Sequence, residues 1–208
     1  TVEYLHGAYN LWQERCFPFI GCNDFTQQGE VNGWSGALSG TYHFNDALSI
    51  AATHKFATQF GDEHIDFNLP SVSSLFVSYS VTEDFNLHGT YSYSVWKDKG
   101  IVYEEYSDPV GLLVGVTDSN RVAVGAEYDW NRVKLMAGMS LDQAIDPLGG
   151  SDVRYRFGAG YDVTDSFTLN GVVVIENYAT KQAQVSGETL VKVQNDGTLL
   201  GVSASYRF

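Results

Sequence analysis

The last ten residues, Leu199-Leu200-Gly201-Val202-Ser203-Ala204-Ser205-Tyr206-Arg207-Phe208, alternate strictly, and this pattern limits what the chain can fold into more than any other. Phe208, Tyr206, Ala204, Val202 and Leu200 fall on one face, Arg207, Ser205, Ser203 and Gly201 on the other. A period of two belongs to a strand, whose successive side chains leave on opposite sides. The pattern recurs upstream. Over 120–130, Val122, Val124, Ala126, Tyr128 and Trp130 oppose Arg121, Ala123, Gly125, Glu127 and Asp129. Over 133–142, Val133, Leu135, Ala137, Met139 and Leu141 oppose Lys134, Met136, Gly138, Ser140 and Asp142, and 153–163 repeats the division. An antiparallel sandwich shows the same alternation, so further observations must decide what the apolar face meets.

The position of the aromatics is one. Tyr42, Phe44, Tyr79, Phe85, Tyr128, Trp130, Tyr161, Phe167, Tyr206 and Phe208 lie on the apolar face beside a short turn or the last residue, where an outer-membrane barrel carries its interfacial girdle. The terminal Phe208 resembles the C-terminal signal of such barrels, which implies recognition by barrel insertion machinery. No apolar run approaches the roughly 18 to 20 residues a spanning helix needs. A chain that crosses a membrane without such helices must do so as a closed set of strands, because nothing else satisfies its backbone in lipid.

Ten strands are expected near 2–10, 33–44, 48–58, 67–81, 85–96, 120–130, 133–142, 153–163, 167–178 and 198–208. Short polar turns at 45–47, 82–84, 131–132 and 164–166 alternate with long connections near 11–32, 59–66, 97–119, 143–152 and 179–197. Short turns on one side and long loops on the other are the barrel arrangement, with both ends of the chain on the periplasmic side. The expectation is an all-β, antiparallel up-and-down transmembrane barrel forming one domain over 1–208, in the bacterial outer membrane among its lipid and lipopolysaccharide. The sequence opens directly in a strand, so a leader has been removed or the chain is a piece of something longer.

A formal charge of −13, from 12 Lys and Arg against 25 Asp and Glu, argues against a nucleic-acid partner. Cys16 and Cys22 bracket a turn-rich segment containing Pro18 and Gly21, and a short-range disulfide is expected in an oxidising compartment.

With the strands placed, the stretch from about Gly33 onward resembles the FadL/TodX family of outer-membrane transporters. The likeness lies in Asp66-Phe67-Asn68-Leu69-Pro70 entering a strand, Arg121-Val122-Ala123-Val124-Gly125-Ala126-Glu127-Tyr128, Ala137-Gly138-Met139-Ser140-Leu141-Asp142 with Asp146-Pro147 nearby, and Tyr155-Arg156-Phe157-Gly158-Ala159-Gly160-Tyr161. The resemblance implies passive uptake of long-chain fatty acids or aromatic hydrocarbons through a barrel of about fourteen strands plugged by an N-terminal hatch bearing an Asn-Pro-Ala motif. Neither that motif nor room for the extra strands is found here. The chain therefore corresponds either to the C-terminal ten strands of such a protein or to a shortened relative closing as a smaller barrel.

Two sets of residues are candidates for ligand contact. The segment 97–119 is unusually apolar, and Leu112, Leu113 and Val114 are expected to form a greasy capture groove for a hydrophobic small molecule; the plainer reading packs them on their own loop. On the wet face Lys55, Arg121, Lys134, Arg154, Arg156 and Arg207 are cations able to receive a carboxylate, with Arg121, Arg154 and Arg156 favoured by their place toward the extracellular ends of their strands. Pairing with the inward acids Glu127, Asp129, Asp142, Asp162 and Glu176 is the bland alternative. A packed structural or adhesive barrel is the rival function.

A barrel enzyme is the weaker rival, resting on Asp62-Glu63-His64. There is no Gly-x-Ser-x-Gly nucleophile motif, and His6, His43, His54 and His88 are scattered without metal-ligand spacing. The expectation is a protein without catalytic residues, metal or cofactor.

Overall fold

A computed structural model of the chain describes residues 1–17, 21–62, 65–97, 99–103, 116–146, 148–185 and 188–207. All regular structure among them is strand: β1 (Val2–Phe17), β2 (Gly21–His43), β3 (Leu48–Lys55), β4 (Thr58–Gly61), β5 (Ile65–Leu69), β6 (Ser71–Ser80), β7 (Phe85–Val95), β8 (Gly100–Tyr103), β9 (Ser119–Trp130), β10 (Val133–Gln143), β11 (Ser151–Thr164), β12 (Phe167–Asn177), β13 (Lys181–Val185), β14 (Glu188–Val193) and β15 (Asp196–Tyr206). No helix of the described residues is long and apolar enough to cross a membrane, a fact that leaves strands open.

The strands form one antiparallel meander. β15, β12, β11, β10, β9, β7, β6, β3 and β2 are neighbours in that order, with β1 on the far side of β2. β4, β5 and β8 continue the lines of β3, β6 and β7: β4 pairs with β5 as β3 pairs with β6, and β8 pairs with β5 as β7 pairs with β6. Counted as lines, the sheet matches the expected strands one for one. The split between β5 and β6 falls at Pro70, whose ring nitrogen has no hydrogen to give the ladder. Within the described residues β1 and β15 are the two edges, and the sheet does not close on itself.

The expected long connections are largely not loops. Residues 11–32 belong almost wholly to β1 and β2, paired in unbroken register from Val2↔Gly36 to Phe17↔Gly21. Part of 59–66 is β4 and β5, and 179–197 holds the separate hairpin β13–β14. The reason for the misreading is solvation. A hairpin that extends beyond the apolar band needs no apolar face, and the apolar-polar alternation that marks a strand is absent from the sequence Asn23-Asp24-Phe25-Thr26-Gln27-Gln28.

The short turns stand where expected. Phe44 closes on Leu48, Val81 on Phe85, and Trp130 on Val133. Asn131, in the two-residue turn, takes φ 56°, a left-handed conformation that asparagine tolerates. Successive turns are staggered. Leu48 pairs with Tyr79, two residues short of Val81, and Phe85 pairs with Tyr128, two residues short of Trp130. A shift of two residues, about 6.6 Å, over two strand spacings of about 4.8 Å implies strands tilted by about 35°, the inclination of a barrel wall.

The molecule is inside-out relative to a water-soluble domain. Val31 is the one hydrophobic residue buried to the core level among the described residues. One face of the sheet carries exposed Leu38, Tyr42, Phe44, Tyr79, Leu87, Tyr91, Val122, Val124, Tyr128, Trp130, Leu135, Met139, Phe157, Tyr161, Leu200, Val202 and Tyr206. Their cross-strand pairings make this one continuous surface, for example Tyr91↔Val122, Val124↔Met139 and Met139↔Tyr155. The opposite face is mainly Ser, Gly and charge, among them Ser74, Ser78, Ser92, Arg121, Glu127, Gly138, Arg154, Gly158 and Ser203, interspersed with Phe76, Met136, Val172 and Leu199. The expected girdle residues from Tyr42 to Tyr206 lie at the short-turn end of the apolar face, and Phe208 lies outside the described residues. This is the transmembrane barrel wall read from the sequence.

Register and topology are tested together on β15. Val202 is 87% exposed on the apolar face opposite Gly171, and Ser203 points to the polar face opposite Asn170. Val202→Arg is expected to cost about 2 to 4 kcal/mol in a lipid refolding titration, and Ser203→Arg far less. Equal tolerance of the two would mean that the apolar face does not meet lipid.

Candidate functional site

The polar face is the wall of the lumen, and its charges are sorted by register. β9, β10, β11 and β12 set Arg121↔Asp142, Ser140↔Arg154 and Arg154↔Glu176 directly across from one another. Asp142 serves two cations. Its Oδ1 is 3.1 Å from Arg121 Nε and its Oδ2 2.9 Å from Arg154 Nη1. Arg121 Nε is buried without an aligned hydrogen bond, so that contact is charge attraction. Arg154 Nε donates to Glu176 Oε1 at 2.7 Å, and Tyr178 OH donates to the other Glu176 oxygen at 2.6 Å. Lower on the wall Lys134 Nζ is 2.7 Å from Glu127 and 3.4 Å from Asp129, and near β1 Lys55 lies 3.8 Å from Glu3.

Of the three favoured arginines, Arg121 and Arg154 are thus neutralised by wall acids, and Arg156 differs. Among the described residues no carboxylate lies within 4.0 Å of it; Glu176, bonded to Arg154 and Tyr178, feels its charge only at longer range. Its Nη1 donates to Ser140 Oγ at 3.2 Å, and Ser140, fully buried, donates onward to Asp142 Oδ2 at 3.0 Å. That chain of bonds draws the guanidinium from the level of Gly138, the ladder partner of Arg156, toward Ser140 two residues further along β10. Sequence spacing placed the three on one face; it could not tell which already had a partner.

Arg156 borders a cavity of about 600 Å³ on the same face, reaching from His88 on β7 to Ser203 on β15. Glycines recur on its floor, with Met136 and Val172 between them. Gly125 faces Gly138 in the ladder, and no side chain comes within 4 Å of where a Cβ would stand on either. This cavity was not foreseen from the sequence, although Gly125, Gly138 and Gly158 all fall on the wet face of the alternation.

Leu112, Leu113 and Val114 lie outside the described residues, as do Glu63 and His64. Asp62 accepts a hydrogen bond from Tyr9 OH at 2.8 Å, tying β1 to the end of the β3–β4 line. The register sets Cys16 opposite Cys22. No group of three or more His, Cys, Asp or Glu suited to a metal occurs among the described residues.

At the long-connection end of the sheet, the base of the 97–119 segment is stapled by Asp118. Its Oδ1 accepts from the backbone of Trp96 at 2.9 Å and of Lys97 at 3.1 Å, and its Oδ2 accepts from Tyr93 OH at 2.7 Å. The Tyr93 hydrogen bond first, then the Lys97 amide, hold the Asp118 carboxyl below its ordinary value.

The fold defines a class. It is an antiparallel wall of the transmembrane β-barrel kind, with one apolar face and one polar, largely charge-neutralised face. Among solved structures the chain is similar to the Pseudomonas putida toluene transporter TodX, at TM-score 0.63 and 18% identity over 87% of this chain and 50% of that one. It is similar also to the CymD monoaromatic hydrocarbon channel, at TM-score 0.64 and 13% identity over 86% and 52%. A Pseudomonas aeruginosa FadL homologue matches at TM-score 0.64 and 12% identity over 99% and 62%. The chain therefore spans about half to three-fifths of the length of these structures and shares the fold of FadL/TodX-type transporters across nearly all of its own. No protein-family model and no curated protein sequence matches it.

A group whose carboxyl is held low in the folded state contributes stability above its unfolded value and loses it as pH falls through the folded one. The staple is therefore expected to be intact from neutral pH down to about pH 4 and to loosen below the carboxylate range. Amide-exchange protection of Trp96 and Lys97, corrected for intrinsic rate, should fall there. In Asp118→Asn it should be lower at neutral pH and flat with acidification.

Proposed function

We propose that this chain is the wall of a passive channel for hydrophobic small molecules in a bacterial outer membrane, one barrel domain over 1–208. The observation that carries the reading is the likeness of the whole meander to transporters whose names specify toluene, monoaromatic hydrocarbons and FadL homology. Two physical features support it. The apolar face suits lipid, including the acyl chains of lipopolysaccharide, and the inner face offers apolar Met136 and Val172 on a wall whose ions mostly cancel one another. Movement down a gradient needs no chemistry, so no catalytic group is assigned.

In this reading Leu112, Leu113 and Val114 collect cargo at the extracellular side, the lumen conducts it, and Phe208 serves insertion into the membrane. The β1–β2 ribbon carries a Cys16–Cys22 disulfide at its far end, across the directly opposed pair of the register. Such a bond closes a very short loop and adds little to barrel stability.

Liposomes containing the full-length protein should take up labelled long-chain fatty acid or toluene faster than protein-free liposomes, saturably. Leu112→Asp with Leu113→Asp should reduce that uptake several-fold while the barrel still folds. A folded protein that passes neither cargo would end the proposal.

The disulfide is checked by intact mass without reductant. The expected result is two hydrogens fewer than the reduced chain, and two freely alkylated thiols in the native protein would refute it.

A further inference from the structure

The cavity beside Arg156 has a chemistry of its own. His88, Gly125, Gly138 and Arg156 occupy one ladder row across β7, β9, β10 and β11. From His88 to Arg156 the row spans three strand spacings, about 14 Å. Between them the wall is bare backbone, because both central residues are glycines with no side chain leaning over them. His88 Nδ1 is engaged by Ser78 Oγ at 3.1 Å, so one end of the row is a fixed ring. At the other end stands a guanidinium oriented by Ser140, with no carboxylate within 4.0 Å among the described residues and Glu176 acting on it only at longer range. Met136 forms an apolar side to the space, and the neighbouring Glu127 is occupied by Lys134.

A floor of paired glycine backbone admits a flat body at close approach, where any Cβ would hold it off. A half-buried guanidinium with no carboxylate in direct contact among the described residues, at the edge of an apolar space, favours a planar anion that it can meet with two parallel hydrogen bonds. We infer that this cavity binds an aromatic carboxylate, its ring lying on the Gly125–Gly138 backbone and its carboxylate received by Arg156. The inference rests on the reading of the chain as a channel wall and narrows the cargo to flat acids held at this one row.

The probes are 2-naphthoate and its uncharged analogue 2-methylnaphthalene, titrated calorimetrically into the full-length protein in detergent. Naphthoate is expected to bind saturably and at least about tenfold more tightly than methylnaphthalene. Arg156→Gln should abolish that preference and Arg156→Lys should restore only part of it, since an ammonium lacks the planar fork. Gly125→Leu should weaken both ligands by covering the floor; a Cβ there meets only backbone, at 3.4 Å, and folding of the variant is checked by its circular dichroism.

Equal affinity for the two probes, or a preference unchanged in Arg156→Gln, would overturn the carboxylate site. If toluene still crosses liposomes in that case, the channel reading survives and only this inference falls. Absence of both naphthoate binding and hydrocarbon uptake would overturn the two together.

Discussion

Every backbone amide and carbonyl of this chain that lies at membrane depth must find its partner in a neighbouring strand, because hydrocarbon offers none. The rest of the structure follows from that requirement. It dictates a continuous antiparallel ladder from β1 to β15, forbids irregular backbone on the lipid side, and sends every departure from strand geometry to the turns or to the water above. Pro70 makes the point by exception: it interrupts the ladder between β5 and β6, toward the long-loop end, where the lines run out of the main sheet.

The ladder in turn fixes what each side chain meets. With a period of two, half of every spanning strand faces lipid, and those positions are filled by Leu, Val, Tyr, Phe and Met that a water-soluble fold would have to bury. The other half faces the lumen, where a charge costs more than at an open surface. The wall answers with cross-strand pairs, Asp142 between Arg121 and Arg154, Glu176 with Arg154, Glu127 and Asp129 with Lys134. Against that pattern Arg156, oriented by a buried serine and with no acid within 4.0 Å among the described residues, is the departure that gives the inner wall a chemical address.

Strand lines, short turns and faces were legible in the residues because each depends on local order: alternation, a polar turn, an aromatic beside it. The hairpins rising above the membrane were not. Over 21–31 β2 has polar residues on both sides, so the sequence carries no face signal although backbone pairing with β1 is unbroken. The same physics hid β13 and β14 within what reads as a loop.

The sequence by itself determined that the chain spans as strands, which residues turn to lipid, and that the lumen cations and acids share a face. Those are consequences of a two-residue period and need no knowledge of neighbours. Only the tertiary structure decided the two-residue stagger of successive hairpins, and with it which acid stands across from which arginine. It also decided that Gly125 faces Gly138 on bare backbone beside Arg156. Register is a relation between strands far apart in the chain, and a shift of two residues would keep every face as it is while exchanging every partner.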